Sequence, residues 1–212
     1  MMVAQSPLGR SEEQLLLDEY VNETLVKIEP SQQPYVVAMV GLPGSGKSTF
    51  AAALHGTIGI YIARNDDVRR FLNRKGFDGA SPIQSTVEFI NNAVTDELFR
   101  RKISHIRDAD IIKFHEVAAE KAAQYDIPMI LVKIDCSDEI LLKRAAARDQ
   151  ERADKIVDAY QSQAGTTELQ QRRAVHQQVT EPQYDYIYRS DSQPVEDGVR
   201  EFCAILSSKG LI

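Results

Sequence analysis

The sequence predicts a three-layer α/β fold, in which helices cover both faces of a five-stranded parallel sheet, with one further helix at the N-terminus. Strand-like apolar runs alternate with helical segments along most of the 212 residues. The run YVVAMV, 35–40, is continuously apolar, which is typical of a parallel strand buried on both faces. A glycine-rich segment follows it at once and precedes an alanine-rich helix. We therefore expect ligands to bind at the carboxyl ends of the strands.

The composition is that of an ordinary globular protein, with 43% hydrophobic and 26% charged residues. No apolar run approaches the length of a membrane span, and residues 1–14 lack the pattern of a secretory signal. Two cysteines are too few for a disulfide framework, so we expect a soluble protein of the reducing cytoplasm. The net charge of −6 argues against an extended nucleic-acid track.

The first element is predicted to be an amphipathic helix over 11–28, in which apolar residues recur at helical spacing. The stretch EPSQQP, 29–34, has two prolines and no apolar side chain, so it ends that helix. We assign 1–34 to an N-terminal helix and linker, and 35–212 to the main domain.

Further strands are predicted at 58–63, 102–108, 129–135 and 184–189. Helices are expected between and after them, at 66–74, from Pro82 with Ser81 as its N-cap to about Arg101, and at 110–126, 137–160, 167–179 and 195–210. The strand 102–108, KISHIRD, is the least regular because charged residues interrupt it. We expect it to be an edge-like or distorted strand, or to turn its charged groups toward the cleft.

The segment GLPGSGKST fits the phosphate-loop pattern G-x-x-x-x-G-K-[ST]. Its backbone N–H groups and the following helix N-terminus are suited to phosphate, which predicts a P-loop NTPase fold that binds ATP. Lys47 is expected at the β and γ phosphates, and the Ser48 hydroxyl on Mg²⁺. A glycine-rich turn without ligand is the alternative, and dinucleotide binding is excluded because G-x-G-x-x-G is absent. The expected nucleotide-binding residues are Gly41, Pro43, Gly44, Ser45, Gly46, Lys47, Ser48 and Thr49.

Two adjacent carboxylates, Asp66 and Asp67, follow the predicted strand 58–63. Like charges beside a phosphate loop repel each other and the bound anion, so they favour a chemical role over a stabilising one. A carboxylate there can accept the proton of an attacking hydroxyl, and an arginine one turn later can hold the substrate. The alternative is that either aspartate merely caps the next helix.

These two motifs, GLPGSGKSTFA and NDDVR, resemble the polynucleotide-kinase-like branch of the P-loop kinases. That branch belongs to the small AAA-type ATP-binding proteins and is similar to gluconate kinases and zeta toxins. The resemblance implies an ATP- and Mg²⁺-dependent kinase in which Asp66 is the general base. It also implies that Arg69, with Asp67, binds the acceptor. The basic residue that the family has before the aspartates is here Asn65, with Arg64 one place earlier.

Two further segments extend the resemblance. HIRDAD, 105–110, is similar to the family's strand ending in Asp-Ala-Thr, which makes Asp108 the acid near Mg²⁺, although Asp110 replaces the threonine. LLKRAAARD, 141–149, resembles a lid helix whose arginines cover the phosphates. Arg144 and Arg148 lie four apart, so they share a helix face and are expected to contact the nucleotide, with Arg148 catalytic. A solvated surface helix is the alternative.

Two functions are therefore weighed. The first is a kinase that phosphorylates a hydroxyl of a small metabolite, a nucleotide or a nucleic-acid end, with no membrane partner. The second is a regulatory switch that binds or slowly hydrolyses ATP and signals through the N-terminal helix. The alternating tyrosines of YDYIYR suit core packing, or otherwise an adenine platform. Neither the acceptor nor the oligomeric state follows from the sequence.

Overall fold

A computed structural model of the chain describes residues 9–77, 82–109, 112–153 and 165–212. Its sheet has five parallel strands in the order β2-β3-β1-β4-β5, which confirms the predicted fold class. Helices connect each strand to the next one along the chain, as parallel pairing requires. The strands are β1 (Val36–Val40), β2 (Tyr61–Ala63), β3 (His105–Ala109), β4 (Met129–Asp135) and β5 (Tyr186–Arg189).

Eight helices are seen in the described ranges: α1 (Arg10–Thr24), α2 (Lys47–Ile58), α3 (Asn65–Arg74), α4 (Pro82–Arg100), α5 (Glu116–Gln124), α6 (Asp138–Ala153), α7 (Thr166–His176) and α8 (Val195–Ser208). Several boundaries differ from expectation, among them the start of β3 at His105 and of β5 at Tyr186. The first helix ends at Thr24, and Ile58 closes α2 instead of opening β2. A 3₁₀ turn, Ile112–His115, precedes α5. The expected Ser81 cap, Asp110 and the continuation of α6 to residue 160 lie outside the described residues.

Strand β3 contradicts the expectation of an edge-like or distorted strand. It lies between β2 and β1 in uninterrupted parallel register, with His105 beside Val36 and Asp108 beside Met39. His105 is fully buried, and Arg107 donates a hydrogen bond to the Thr95 hydroxyl on α4. These side chains are tolerated in a central strand because the His105 ring packs edge-to-face on Phe99 of α4 and Arg107 has its polar partner on the same helix.

One face of the sheet packs against α2 and α8 through a core that includes Phe50 and Phe202. Tyr188 is buried against Phe50, with ring centroids 4.8 Å apart, and Tyr186 stacks on Phe202 at 5.6 Å. These contacts favour core packing over an adenine platform for both tyrosines. A Cβ on Gly198 would lie 2.5 Å from the Tyr188 ring, so this contact requires glycine.

The N-terminal helix is built into the core on the other side. Leu16, Tyr20 and Leu25 are buried in one cluster with residues of α3 and α4. The Tyr20 ring meets Phe71 edge-to-face at 5.2 Å. Arg101 donates to the backbone oxygen atoms of Leu25 and Ile28 at 2.7 Å each, which satisfies carbonyl groups beyond the end of α1. The helix therefore packs directly on the elements that lead to the site.

Candidate active site

The phosphate loop occupies residues 41–46, between the end of β1 and the start of α2. Gly44 and Gly46 have φ values of 89° and 100°, in the left-handed region that favours glycine. Gly46 is the N-cap of α2, so the helix directs its N-terminal N–H groups and positive dipole end at the loop. The backbone thus has the form of an anion site, as the motif predicts.

Close packing also restricts the loop at its first glycine. A Cβ on Gly41 would lie 2.5 Å from the Ile134 backbone oxygen and 2.6 Å from Ser45 Oγ. The first distance is incompatible with a side chain, because the Ile134 oxygen belongs to the β4 backbone and cannot rotate away. Gly41 is therefore required for the loop to approach β4, independently of any ligand.

Lys47 folds back over the loop, where its Nζ donates to the backbone oxygen of Gly41 at 2.7 Å and of Leu42 at 3.4 Å. The ammonium group is thus held at the mouth of the expected phosphate site. Ser48 and Thr49, in the first turn of α2, are exposed, whereas Ser45 is buried. The structure accordingly presents Lys47 and the two hydroxyl groups on the side where a phosphate chain would lie.

The two aspartates of the second motif, Asp66 and Asp67, form ion pairs with different arginines. Arg64 is the N-cap of α3, so both aspartates lie inside the first helical turn and neither caps it. Arg69 Nη1 lies 2.9 Å from Asp66 Oδ1, while Arg70 pairs with Asp67 at 3.1 Å. The capping alternative is therefore wrong, although negative charge in a first turn is still favourable to a helix.

The Asp66–Arg69 pair extends to helix α4. Arg69 Nη2 donates to Gln84 Oε1 at 3.0 Å, and the Asp66 side chain is 73% exposed. The guanidinium group is thus held from two sides, and the carboxylate is open to an incoming molecule. The sequence did not indicate Gln84, because its contact with Arg69 depends on how α3 and α4 pack and no sequence pattern predicts that packing.

Arg64 links this region to the phosphate loop. Its Nη2 donates to the backbone oxygen of Ser48 at 3.4 Å, while its buried Nε has no partner among the described residues. The arginine that stands one place earlier than the family pattern thus reaches the first turn of α2. A cation here lies between the nucleotide loop and the start of α3.

Asp108 lies at the carboxyl end of β3. It pairs in register with Met39 of β1, and Met39 is two residues before Gly41. Side chains alternate along a strand, so Asp108 shares the sheet face of Ile106, which packs on α2. Mg²⁺ prefers oxygen ligands and is usually held by one or two protein groups plus phosphate oxygen atoms. Ser48 and Asp108 supply that donor set, and no group of three or more His, Cys, Asp or Glu suited to a metal is found within the described ranges. The residues therefore fit a magnesium–nucleotide complex better than an all-protein metal site.

Arg144 of α6 lies directly against the phosphate loop. Its Nη1 donates to the Gly44 backbone oxygen at 2.9 Å and to Ser190 Oγ at 3.1 Å, with the Cys136 Sγ at 3.6 Å. Arg148, one turn further along, is exposed. The structure thus brings the first lid arginine to the loop and leaves the second at the surface. Ser190 was missed, although its place after β5 at the carboxyl edge of the sheet could have indicated it.

The histidines near β3 are structural. His105 Nδ1 bonds the Ile103 backbone oxygen at 2.9 Å, and His115 Nε2 bonds that of Met39 at 3.0 Å. Burial lowers the pKa of each to about 4, so both are neutral at neutral pH. Both rings are buried, and each bonds a backbone oxygen atom.

Comparisons with known proteins agree with the observed fold. A family model described as an AAA domain matches residues 36–179. The UMP-CMP kinase of Prunus armeniaca is 26% identical over 154 residues, which make up 66% of this chain. The chain spans 65% of that relative's length.

Among solved structures, a candidate kinase from Chloroflexus aurantiacus J-10-fl superposes with a TM-score of 0.61 at 14% identity, over 82% of this chain and 100% of its own. A chain of the PezAT toxin–antitoxin system of Streptococcus pneumoniae gives 0.59 at 15% identity, over 88% and 79%. At these identities the structural similarity shows the fold. Among the described residues, no helix combines the length and hydropathy that a bilayer crossing requires.

Proposed function

We propose that this chain, which belongs to the AAA domain family of P-loop kinase-like proteins, is an ATP-dependent kinase that transfers the γ-phosphoryl group to a hydroxyl acceptor. The observation that carries the proposal is the Asp66–Arg69 pair at the start of α3, two residues after Arg64, which bonds the Ser48 backbone oxygen in the first turn of α2. A loop that binds nucleotide for regulation alone does not need an exposed carboxylate fixed beside it. The acceptor class is a small metabolite, a nucleotide or a nucleic-acid end.

The nucleotide would be bound by residues 41–49. Backbone N–H groups of the loop and of the first turn of α2 hold the phosphates, and Lys47 neutralises the β and γ phosphates. Ser48 and Asp108 would hold Mg²⁺, which neutralises charge on the phosphate oxygen atoms when it is bound. Pro43 and Ser45 shape the loop, and Thr49 adds a hydroxyl near the α phosphate.

Asp66 would act as the general base. Its carboxylate accepts the proton of the acceptor hydroxyl while the oxygen forms a bond to the γ phosphorus and the bond to the β-phosphate oxygen breaks, which releases ADP. Arg69 orients the carboxylate at 2.9 Å and, with Asp67 nearby, contacts the acceptor. Because Gln84 holds the other edge of the guanidinium, Arg69 keeps its orientation before the acceptor binds.

Helix α6 would complete the site from the opposite side. Arg144 contacts the loop through Gly44 and can follow any shift of the loop when nucleotide binds. Arg148 lies on the same helix face and would approach the γ phosphate when the helix closes, which stabilises charge in the transition state and excludes water.

The test is acceptor-dependent formation of ADP. We expect purified protein with ATP and Mg²⁺ to release ADP faster when hydroxyl compounds are added from a panel of sugars, sugar acids, nucleosides, nucleotides and short 5′-hydroxyl oligonucleotides. A phosphorylated product detected by mass spectrometry would identify the acceptor. If no compound in the panel changes the rate and no phosphorylated product forms, the kinase proposal is wrong.

A regulatory switch is the second candidate, and the position of α1 favours it. Thr86 of α4 donates to the Glu13 carboxylate of α1 at 3.2 Å, and Lys75 pairs with Glu19 at 2.7 Å. A change in α3 or α4 on nucleotide binding would thus reach α1. The switch predicts ATP turnover that no acceptor alters, together with a change in the hydrogen exchange of α1 when ATP binds. Truncation at residue 30 is a poor discriminator, because it would remove the buried Leu16, Tyr20 and Leu25.

A further inference from the structure

Arg107 places a cation inside the fold at a position that the proposed phosphoryl transfer does not use. It stands one residue before Asp108 on β3 and pairs in register with Ala63, the last residue of β2. The residue as a whole keeps some exposure, while its Nε is fully buried. The guanidinium group therefore lies below the carboxyl ends of β2 and β3, where the acceptor would bind.

The bonding of this guanidinium group is incomplete. Nη1 donates to the Thr95 hydroxyl, and Nε has no acceptor among the described residues. Within the same ranges, Arg107 forms no ion pair with a carboxylate, and the nearby His105 and His115 add no negative charge. A buried cation costs free energy unless a charge compensates it. The missing partner is therefore an anion that the described chain does not supply.

A row of polar residues on α4 leads from the surface to this cation. Gln84, Glu88, Asn91 and Thr95 share one face of the helix by their spacing, and we call them the polar stripe. The first two are exposed, Asn91 is half-buried and Thr95 is buried. The stripe is about 16 Å long at 1.5 Å per residue.

Both ends of the polar stripe carry an arginine. Arg69 donates to Gln84 at the exposed end, and Arg107 donates to Thr95 at the buried end. The single carboxylate of the stripe, Glu88, accepts a hydrogen bond of 2.8 Å from Gln84 Nε2. The buried cation therefore lies at the inner end of a polar face whose outer end contacts the Asp66–Arg69 pair.

We propose that Arg107 binds an anionic group of the acceptor, a carboxylate or a phosphate, and so selects acceptors that carry such a group in addition to the hydroxyl. This inference rests on the proposed kinase function. A guanidinium group donates from two adjacent nitrogen atoms to two oxygen atoms of one anion, which a lysine cannot do. Binding at Nε satisfies the donor that has no partner and neutralises the charge, so neutral analogues lose both interactions.

The experiment compares matched pairs of probes. Glycerate and glycerol differ by a carboxylate, and ribose 5-phosphate and ribose differ by a phosphate, so the pairs distinguish the two anions. Binding is measured by thermal shift and calorimetry with the phosphate loop saturated by Mg²⁺ and a non-hydrolysable ATP analogue. We expect the anionic member of at least one pair to bind the wild-type chain about 10- to 100-fold more tightly, which is the usual strength of a hydrogen bond to a charged group.

The variants separate this role from a structural one. Arg107→Met should abolish the preference for the anionic probe without lowering the melting temperature of the ligand-free protein, because it removes an uncompensated buried charge. Arg107→Lys keeps the charge without the paired donors and should lose about tenfold in affinity for the anion. Arg74→Ala, an exposed arginine on α3, is the matched control and should keep the preference.

Several outcomes would overturn the inference. These are the absence of any anion preference in the wild-type chain, a preference that survives in Arg107→Met, or a lower ligand-free melting temperature in Arg107→Met with the preference retained in Arg107→Lys. Acceptor-dependent ADP formation with neutral compounds alone would refute the inference and leave the kinase function standing. Loss of anion binding in Arg107→Met, in a protein that phosphorylates none of these compounds, would support the site and refute the kinase.

Discussion

Arg144 Nη1 donates a hydrogen bond of 2.9 Å to the backbone oxygen of Gly44, so helix α6 is fastened to the middle of the phosphate loop. The same nitrogen bonds Ser190 Oγ, and Nη2 reaches the Ser190 backbone oxygen at 3.3 Å. One guanidinium group therefore joins the loop after β1, the helix after β4 and the turn after β5. Arg148 takes no part in this junction.

The two lid arginines should consequently differ on substitution. Arg144→Ala removes several hydrogen bonds from the loop, and we expect nucleotide affinity to fall roughly tenfold and the free energy of unfolding to drop by about 1–3 kcal/mol. Arg148→Ala should leave both unchanged and lower only the rate of phosphoryl transfer. Nucleotide titration, urea unfolding and steady-state kinetics check the three effects, and equal effects of both substitutions on nucleotide binding would contradict the assignment.

Lys47→Ala should weaken nucleotide binding by about 10- to 100-fold, because a charge-assisted hydrogen bond to phosphate is worth roughly 1.5–3 kcal/mol. The dissociation constant of a fluorescent ATP analogue is the measurement. Lys27→Ala, which removes an exposed lysine outside the loop, is the control and should bind normally. Unchanged affinity in Lys47→Ala would mean that the loop does not hold the triphosphate as proposed.

Substitution of two glycines by alanine tests how closely the loop packs: Gly41 lies in the loop, and Gly56 is the control in α2. Gly41→Ala would place its Cβ 2.5 Å from the Ile134 oxygen, so we expect loss of nucleotide binding and a destabilisation of about 1–3 kcal/mol. Gly56 lies inside α2 with no atom within 4 Å of an added Cβ, so Gly56→Ala should stabilise the fold by about 0.5–1 kcal/mol. Chemical denaturation measures both effects, and the free energy of unfolding should fall in Gly41→Ala and rise in Gly56→Ala.

The buried His105 predicts loss of stability in acid. Its folded-state pKa of about 4 lies below the unfolded value of about 6.5, so the unfolded chain binds a proton that the folded chain cannot. Its stabilising effect is complete above pH 6.5 and declines toward pH 4, by roughly 3 kcal/mol in total. We expect His105→Gln to reduce the pH dependence of urea unfolding between pH 7 and pH 4.5. His55→Gln, at an exposed position, is the control, and an equal reduction there would contradict the prediction.

Local patterns predicted the sheet and the phosphate loop well. The run 129–135 became β4 without a change of boundary, because its alternate apolar residues Ile130, Val132 and Ile134 are buried in the core. The loop could be recognised because its glycines, lysine and serine act within a few residues of one another. Asp66 and Arg69 share one helical turn, so their proximity also followed from sequence spacing.

Contacts between distant elements could not be predicted in the same way. The charged strand β3 looked unsuited to the middle of the sheet, since its sequence does not show that Thr95 would meet Arg107. Gln84 and Ser190 reach the site only through helix packing and strand order. A hydrogen bond between residues far apart in the chain leaves no periodic signal, so these positions needed the three-dimensional arrangement.

The role of Asp66 is tested most directly by Asp66→Asn. A second pair provides an unusually close control, because Asp197 lies in the first turn of α8 and pairs with Arg200 three residues later, as Asp66 pairs with Arg69. Asp197→Asn therefore removes the same kind of helix-terminal ion pair at a place remote in sequence from the phosphate-loop and α3 motifs. Any effect of lost charge or helix stability alone should appear in both variants.

The measurement is the rate of acceptor-dependent phosphoryl transfer from γ-labelled ATP, with nucleotide affinity determined in parallel. Proton transfer to Asp66 predicts that Asp66→Asn lowers the rate at least about 100-fold, the usual contribution of a general base, while ATP affinity and the Asp197→Asn variant stay close to wild type. Phosphoryl transfer at the wild-type rate in Asp66→Asn would contradict the assignment of Asp66 as the base.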